Sequence, residues 1–324
     1  MTGTAPASPA IDALTARFAH ELARLWPEGG RLGLAVSGGT DSLALLLLCQ
    51  AAVPGRFEVA TVDHGLRAES AAECAMVADL CKARGVICNV LATALQPGNI
   101  QAEARAARYA VLSDWAEARG LSAIATAHHA DDQAETLLMR LNRGSGVAGL
   151  AGVRERGMVP GGTVALIRPL LRFRRAELAA LLQRAGIAPV NDPSNADDRF
   201  DRVRIRKALA AADWLDPAAL AASAAHLADA DEALDWAARR EWAERVEIAD
   251  GTLRYRPQAP RAVVLRVVER ALAHFGGTPR GHAVAGLVAR LEAGEGGNVA
   301  GVLARANGDG WLFTEEPRRR TERG

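Results

Sequence analysis

Apolar runs of four to six residues recur along the first two-thirds of the chain, separated by amphipathic or Ala-rich stretches of about ten to twenty. Leu32–Val36, Phe57–Val62, Val86–Leu91 and Ala123–Ala127 are short, apolar and bounded by turn residues, which predicts strands. Between them the spacing is helical. Leu14, Phe18, Leu22 and Leu25 share one face of a helix over Ile11–Leu25. Helices are also expected over Leu43–Ala52, Ala68–Arg84, Ile100–Arg119 and Asp131–Leu141, three of the breaks being marked by Pro54-Gly55, Gly85 and Gly120. Strands alternating with helices of this length imply parallel βαβ units, hence an α/β fold with a doubly wound parallel sheet. Beyond it, Asn142–Gly162 reads as a long Gly-rich loop, Val164–Ile167 as a further strand, and Arg174–Ala185 and Phe200–Ala212 as helices.

The pattern then changes. Pro217–Val246 is one long Ala-rich helix, Ala249-Asp250-Gly251-Thr252 turns a hairpin between Arg245–Ile248 and Leu253–Arg256, and helices follow at Arg261–Phe275 and His282–Leu291. Asn298–Arg305 and Trp311–Thr314 flank Asn307-Gly308-Asp309-Gly310, a second hairpin signal. The chain thus divides into residues 1–212 and a smaller helical, α+β domain over 213–324.

Composition narrows the function classes. With 49% hydrophobic residues the chain can bury a sizeable core, and a net charge of +1 means that a nucleic-acid partner must use a local patch. Such a patch exists: Arg168–Lys207 holds ten basic and five acidic residues. The four cysteines, at 49, 74, 81 and 88, form no C-x-x-C pair and so indicate no zinc or iron–sulfur framework. Residues 1–9 lack the basic start and apolar core of a leader, and no apolar run approaches the ~20 residues that span a bilayer. A cytoplasmic location and no membrane partner are expected.

In an open parallel sheet, ligands bind beyond the carboxyl ends of the strands. The segments there are Ser37–Ser42, Asp63–Arg67, Gly98–Gln101 and His128–Glu135, all polar or Gly-bearing. Ser37-Gly38-Gly39-Thr40-Asp41-Ser42 joins a strand to a helix, so its glycines and the helix N-terminus suit a phosphate, and Asp41 offers a hard oxygen to a phosphate-bound Mg2+. Asp63 and His64 lie where an adenosine would sit. His128, His129, Asp131 and Asp132 open a helix, where an acid could cap the helix or take a proton from an attacking amine. Arg105 and Arg108 lie on adjoining faces of one helix; Arg202 and Arg206 share a face of another, an arrangement that can read a phosphate.

In combination, S-G-G-T-D-S at 37–42, V-D-H-G-L-R-x-E-S at 62–70, A-R-x-x-R-Y at 104–109, T-A-H-H-A-D-D-Q-A-E-T at 126–136, R-G-S-G at 143–146, R-P-L-L at 168–171 and D-P-S-N at 192–195 followed by R-x-R-I-R resemble the tRNA(Ile)-lysidine synthetases. The first motif is shared with the whole ATP pyrophosphatase superfamily. The resemblance implies an adenine nucleotide α-hydrolase-like catalytic domain over 1–212 and a tRNA-binding domain over 213–324. It implies a ligase whose substrates are ATP with Mg2+, free lysine and the tRNA(Ile) with a CAU anticodon. The wobble cytidine would be adenylated at its C2 oxygen and then attacked by the lysine amine, with release of pyrophosphate and AMP.

By position, Ser37–Ser42 would hold the phosphates with Asp41 on the metal, Asp132 would be the second catalytic acid in preference to Asp131, and His129 would touch the nucleotide or the activated base. Arg202 and Arg206 would bind the adenylate or the tRNA; Arg105, Arg108, Arg143, Arg204 and Lys207 would contact tRNA or substrate. Val203 departs from the family pattern, which has Asn between the first two arginines. Longer family members carry an extra C-terminal domain, so a short form is expected here, its oligomeric state left open with a homodimer included. The rival readings are a tRNA base thiolase, disfavoured by the cysteine spacing, and a non-catalytic ATP-binding RNA module.

Overall fold

The structure is a computed structural model that describes residues 9–65, 68–93, 100–190, 199, 201–279, 281–308 and 310–316. In chain order the elements of the first part are α1 (Pro9–Leu25), β1 (Leu32–Ala35), α2 (Thr40–Ala52), β2 (Phe57–Asp63), α3 (Ala68–Ala83), β3 (Cys88–Ala92), α4 (Ile100–Ala118), β4 (Ala123–Ala125), α5 (Ala130–Leu141), α6 (Val147–Leu150), β5 (Arg156–Met158), β6 (Ala165–Ile167), α7 (Arg175–Arg184) and α8 (Asp201–Ala211). Then come α9 (Pro217–Arg245), β7 (Val246–Ala249), β8 (Thr252–Tyr255), α10 (Arg261–His274), α11 (Gly281–Glu292), β9 (Gly296–Val299), β10 (Val302–Asn307) and β11 (Gly310–Glu315).

The chain separates into two units, Met1–Ala228 and Asp229–Gly324, the division falling inside α9. In the first unit six strands form one sheet in the order β3-β2-β1-β4-β6-β5, parallel except for the antiparallel edge strand β5. Side chains alternate across a strand, and the cores follow that alternation. Phe57 and Val59 of β2 with Ala123 and Ala125 of β4 face one core, which α1, α2, α3 and α7 cover; Ala60 and Ile124 face the other, under Tyr109, Leu112 and Trp115 of α4. Gly33 lets α4 come close: a Cβ there would lie 2.7 Å from Trp115 Cζ3, so the indole packs on the β1 backbone.

This winding locates the site. From β1 the chain moves outward through β2 to β3, then crosses back over the opposite face through α4 to β4, on the other side of β1. β1 and β4 are neighbours whose connections run opposite ways, and the crevice beyond their carboxyl ends is the switch point at which such sheets bind ligands.

In the second unit β7-β8-β11-β10-β9 form an antiparallel sheet. Val264, Val267, Val268 and Leu272 of α10 and Leu287 and Val288 of α11 bury against Leu253, Tyr255, Ala304 and Phe313 of its strands. Two expectations are corrected. The stretch Asn298–Arg305 is two strands, not one, because Ala300 and Gly301 turn with φ of 53° and 80°. The loop expected over Asn142–Gly162 contains α6 and β5. Among the described residues no helix is long and apolar enough to cross a membrane.

Candidate active site

The phosphate loop leaves β1 at Ser37 and enters α2 at Thr40. Gly38 has φ +84°, a conformation L side chains rarely adopt, and its carbonyl accepts from Val190 N–H at 2.9 Å. Gly39 is the N-cap of α2 and supplies no side-chain cap, so the N–H groups of the first turn are left for a ligand. Ser42 holds the loop's shape. Its hydroxyl donates to Gly39 O at 2.9 Å and accepts from Ser37 N–H at 3.2 Å, and the Ser37 hydroxyl lies 3.3 Å away. Ser42 thus braces the loop from within.

Asp41, in the first turn of α2, has its Oδ2 3.3 Å from His129 Nε2. Its Oδ1 is buried and, among the described residues, has no hydrogen-bond partner. A carboxylate oxygen so placed beside free helix N–H groups fits a magnesium ion, which binds through one or two carboxylates and the substrate's phosphates. Among the described residues no set of three His, Cys, Asp or Glu converges on a metal position.

Across the switch point, His129 is the N-cap of α5 and is 2% exposed. It forms a capping box with Asp132: Asp132 N–H donates to His129 Nδ1 at 3.3 Å, and His129 N–H donates to Asp132 Oδ2 at 3.0 Å. An accepting Nδ1 assigns the proton to Nε2, which points at Asp41. Burial alone would lower the ring's pKa, but the Asp41 hydrogen bond and the charges of Asp132, Asp41 and Asp131 outweigh it and raise it. His128 is the opposite case. Burial, with Arg168, Arg105, Arg202 and Arg108 nearby, pushes its pKa down to about 3, so it is neutral, with Nδ1 3.0 Å from the Thr126 hydroxyl.

The two acids after His129 differ in use. Asp131 caps α7, accepting from Arg175 N–H at 2.8 Å, and pairs with Arg174 at 3.4 Å. Asp132 faces the crevice and pairs with Arg202 at 2.6 Å. One turn on, Glu135 is 2% exposed and accepts from Arg202 Nε and Arg206 Nε, both at 2.6 Å. Arg202 and Arg206 are thus brought to the site together, as expected, but gripped by carboxylates of α5. Glu135 had no role in the sequence reading; its signal is the three-residue spacing from Asp132, which puts both on one face. Val203, the departure from the family pattern, is 7% exposed and is the one buried side chain of α8, an apolar position.

Gln133 pins the loop after α5. Its amide donates to Val153 O at 2.8 Å and accepts from Val153 N–H at 2.7 Å. Asp63, at the mouth of β2, accepts from Gly65 N–H and from Ser70 Oγ at 2.9 and 2.6 Å; the Ser70 and Gly65 bonds hold its pKa low. His64 is half-buried beside it. Arg105 is exposed and Arg108 half-buried on α4. Arg143 and Arg204 are exposed and tied to Asp201, and Lys207 is exposed on α8, the residue after Arg206. Arg67, Gly98–Asn99, Asp192–Asn195 and the tail Arg318–Arg320 lie outside the described residues. A recess of about 290 Å³ lined by Trp26, Ser122, Ala123 and Ala165 opens at the amino ends of β4 and β6, the edge opposite to this chemistry.

Comparison with known proteins agrees with this geometry. Residues 13–212 match the PP-loop domain family. The tRNA(Ile)-lysidine synthase of Novosphingobium aromaticivorans is 52% identical over 317 residues, covering 97% of each chain, and that of Zymomonas mobilis is 39% identical over 301 residues, covering 91% of each. Among solved structures, a U34-tRNA thiolase from Methanococcus maripaludis, determined with its [4Fe-4S] cluster, superposes with a TM-score of 0.56 at 15% identity over 67% of this chain and 77% of its own, a likeness of fold. With a PP-loop over most of its first unit and such identity along nearly its whole length, the chain belongs to the tRNA(Ile)-lysidine synthase family.

Proposed function

We propose that the protein ligates lysine to C2 of the wobble cytidine, C34, of the tRNA(Ile) with a CAU anticodon, consuming ATP and forming lysidine, AMP and pyrophosphate. One observation carries the reading: an anion loop after β1 and an acid–histidine cluster after β4 meet at the switch point, 3.3 Å apart at Asp41 and His129.

The chemistry needs two steps. The C2 oxygen of cytosine attacks the α-phosphorus of ATP and pyrophosphate leaves, which turns a poor electrophile into one with a leaving group. An amine of lysine then attacks C2 and loses a proton, and AMP departs with the C–O electron pair. Ser37–Thr40 and the first-turn N–H groups of α2 would bind the phosphates. Asp63 and His64 would line the nucleoside. Asp41 would hold Mg2+, which neutralises phosphate charge when bound. Asp132, fixed by the His129 N–H and Arg202, is the acid placed to take the amine's proton. His129 orients Asp41 and Asp132 towards each other. Arg202 and Arg206 supply positive charge beside the leaving AMP, and Arg105, Arg108, Arg143, Arg204 and Lys207 would contact the tRNA.

The thiolase alternative needs a thiol at the strand ends. Cys49, Cys74 and Cys81 are buried within α2 and α3, and Cys88 opens β3 at its amino end. Release of AMP and pyrophosphate from ATP, measured with and without lysine and tRNA(Ile) transcript, tests the reading. Both products should accumulate only when lysine and the transcript are both present. Release that ignores lysine, or that a sulfur donor sustains in its place, would overturn it.

A further inference from the structure

Arg168, the first residue after β6, has no place in the mechanism above. It is 8% exposed, its backbone N–H donates to Glu155 O at 2.9 Å, and its Nη1 donates to Arg154 O at 2.6 Å. Its guanidinium faces the hydroxyl of Tyr109, which is 1% exposed, and its Nε is buried without a hydrogen-bond partner among the described residues. The same phenol serves two more arginines. Arg105 and Arg108 lie 5.1 and 5.4 Å from the ring centroid, and Arg105 Nη2 is 3.4 Å from the hydroxyl. Among the described residues the partners of these three guanidiniums are a carbonyl, a phenol and a π face, with no carboxylate.

Among the described residues these three cations, one of them out of water, are gathered without an acid, an arrangement that a bound anion would compensate. The neutral ring of His128 lies within the same field. From these contacts we infer that Arg105, Arg108 and Arg168 form a subsite for an RNA phosphodiester, with Arg105 and Arg108 touching it and Arg168 acting as a positioning residue that fixes Tyr109 beneath them.

Two considerations select the ligand. β6 lies beyond β4, two strand spacings or about 10 Å from β1, so the group bound here is not held by the phosphate loop. It belongs to whatever approaches from the acceptor side. Of the two acceptor-side substrates in the proposed reaction, lysine carries a net positive charge that three guanidiniums repel, whereas RNA carries one negative charge per nucleotide. Arg105 is exposed and Arg108 half-buried, as contacts to a polymer backbone require.

The inference rests on the tRNA reading, and its test separates the two. Affinity for the tRNA(Ile) transcript is measured across about 50–200 mM salt for the wild type, for Arg105→Gln/Arg108→Gln and for Arg168→Gln, with ATP affinity and lysine KM measured alongside. The double variant should bind the transcript at least about tenfold more weakly, and the slope of log K against log salt should flatten by about 1, as for one lost phosphate contact. ATP affinity and lysine KM should not move. Arg105→Lys/Arg108→Lys, which keeps the charges, should restore the slope. Arg168→Gln should weaken transcript binding in the same direction; should it not fold, the exposed double variant carries the test. Folded variants with wild-type affinity and slope would overturn the subsite. So would a raised lysine KM with unchanged transcript affinity, which would make the amino-acid carboxylate the anion. Wild-type protein that neither binds the transcript nor incorporates lysine would instead overturn the tRNA reading, and this inference with it.

Discussion

Glu135→Gln probes the junction between α5 and α8. The carboxylate is 2% exposed and accepts from Arg202 and Arg206 of α8, so the amide, nearly the same in shape, replaces charge-assisted bonds with one neutral acceptor and a donor facing donors. Removing one member of a buried ion pair costs about 3–5 kcal/mol. Here Arg202 and Arg206 are 42% and 29% exposed, so water solvates the charges left behind, and Arg202 keeps Asp132; the cost falls to about 2 kcal/mol. In a unit of this size that lowers the melting temperature by about 4–8 °C at pH 7. The pH dependence has a definite sign. Burial by itself would raise the Glu135 pKa, but the Arg206 and Arg202 hydrogen bonds and charges outweigh it and hold the value low. A carboxyl lowered in the folded state stabilises fully above its unfolded value of about 4.3 and less as pH falls through the folded value. The gap between wild type and Glu135→Gln, followed by circular dichroism melts, should be full at neutral pH and close below about pH 4.3. Equal melting at pH 7, or a gap that widens in acid, would refute the structural role given to this carboxylate.

Three further substitutions test other parts of the account. Asp41→Asn should reduce lysine incorporation by on the order of 100-fold with an unchanged melting curve; near-normal turnover would remove Asp41 from the metal role. Gly152→Ala places a Cβ 2.5 Å from Gln133 Oε1 at φ +66°, so its urea midpoint should drop by the equivalent of about 2 kcal/mol, and an unchanged midpoint would contradict the Gln133–Val153 clamp. Ala300→Gly relieves a left-handed alanine in the β9–β10 turn and should raise the melting temperature of the Asp229–Gly324 unit by about 2 °C, a fall being the contrary result.

Much of the site is legible in the sequence because strand ends are. The apolar runs at Leu32–Ala35 and Ala123–Ala125 stop where polar segments begin, and the parallel-sheet rule then brings Ser37–Ser42 and His128–Asp132 together without knowledge of any contact. What escapes is set by three-dimensional neighbours. A glutamate in a helix reads as solvated, and only the approach of α8 buries Glu135. Arg168 is legible as the start of the R-P-L-L stretch, but its burial against Tyr109 from α4 is not. The sequence does not show that the Ser42 hydroxyl also braces the loop from within. The missed elements have local causes. β5 is three residues long and exposed throughout, so it shows no alternation, and the β9–β10 turn carries an alanine where Asn or Asp would have marked a positive φ.

The central claim, that the anion loop and the acid–histidine cluster form one two-step site for lysine and a wobble cytidine, is tested most directly by lysine incorporation. Purified protein is incubated with ATP, radiolabelled lysine and tRNA(Ile) transcripts carrying C34 or U34. The account predicts label in the C34 transcript alone, with one AMP formed per lysine attached. Equal label in both transcripts, or none in either, would contradict it.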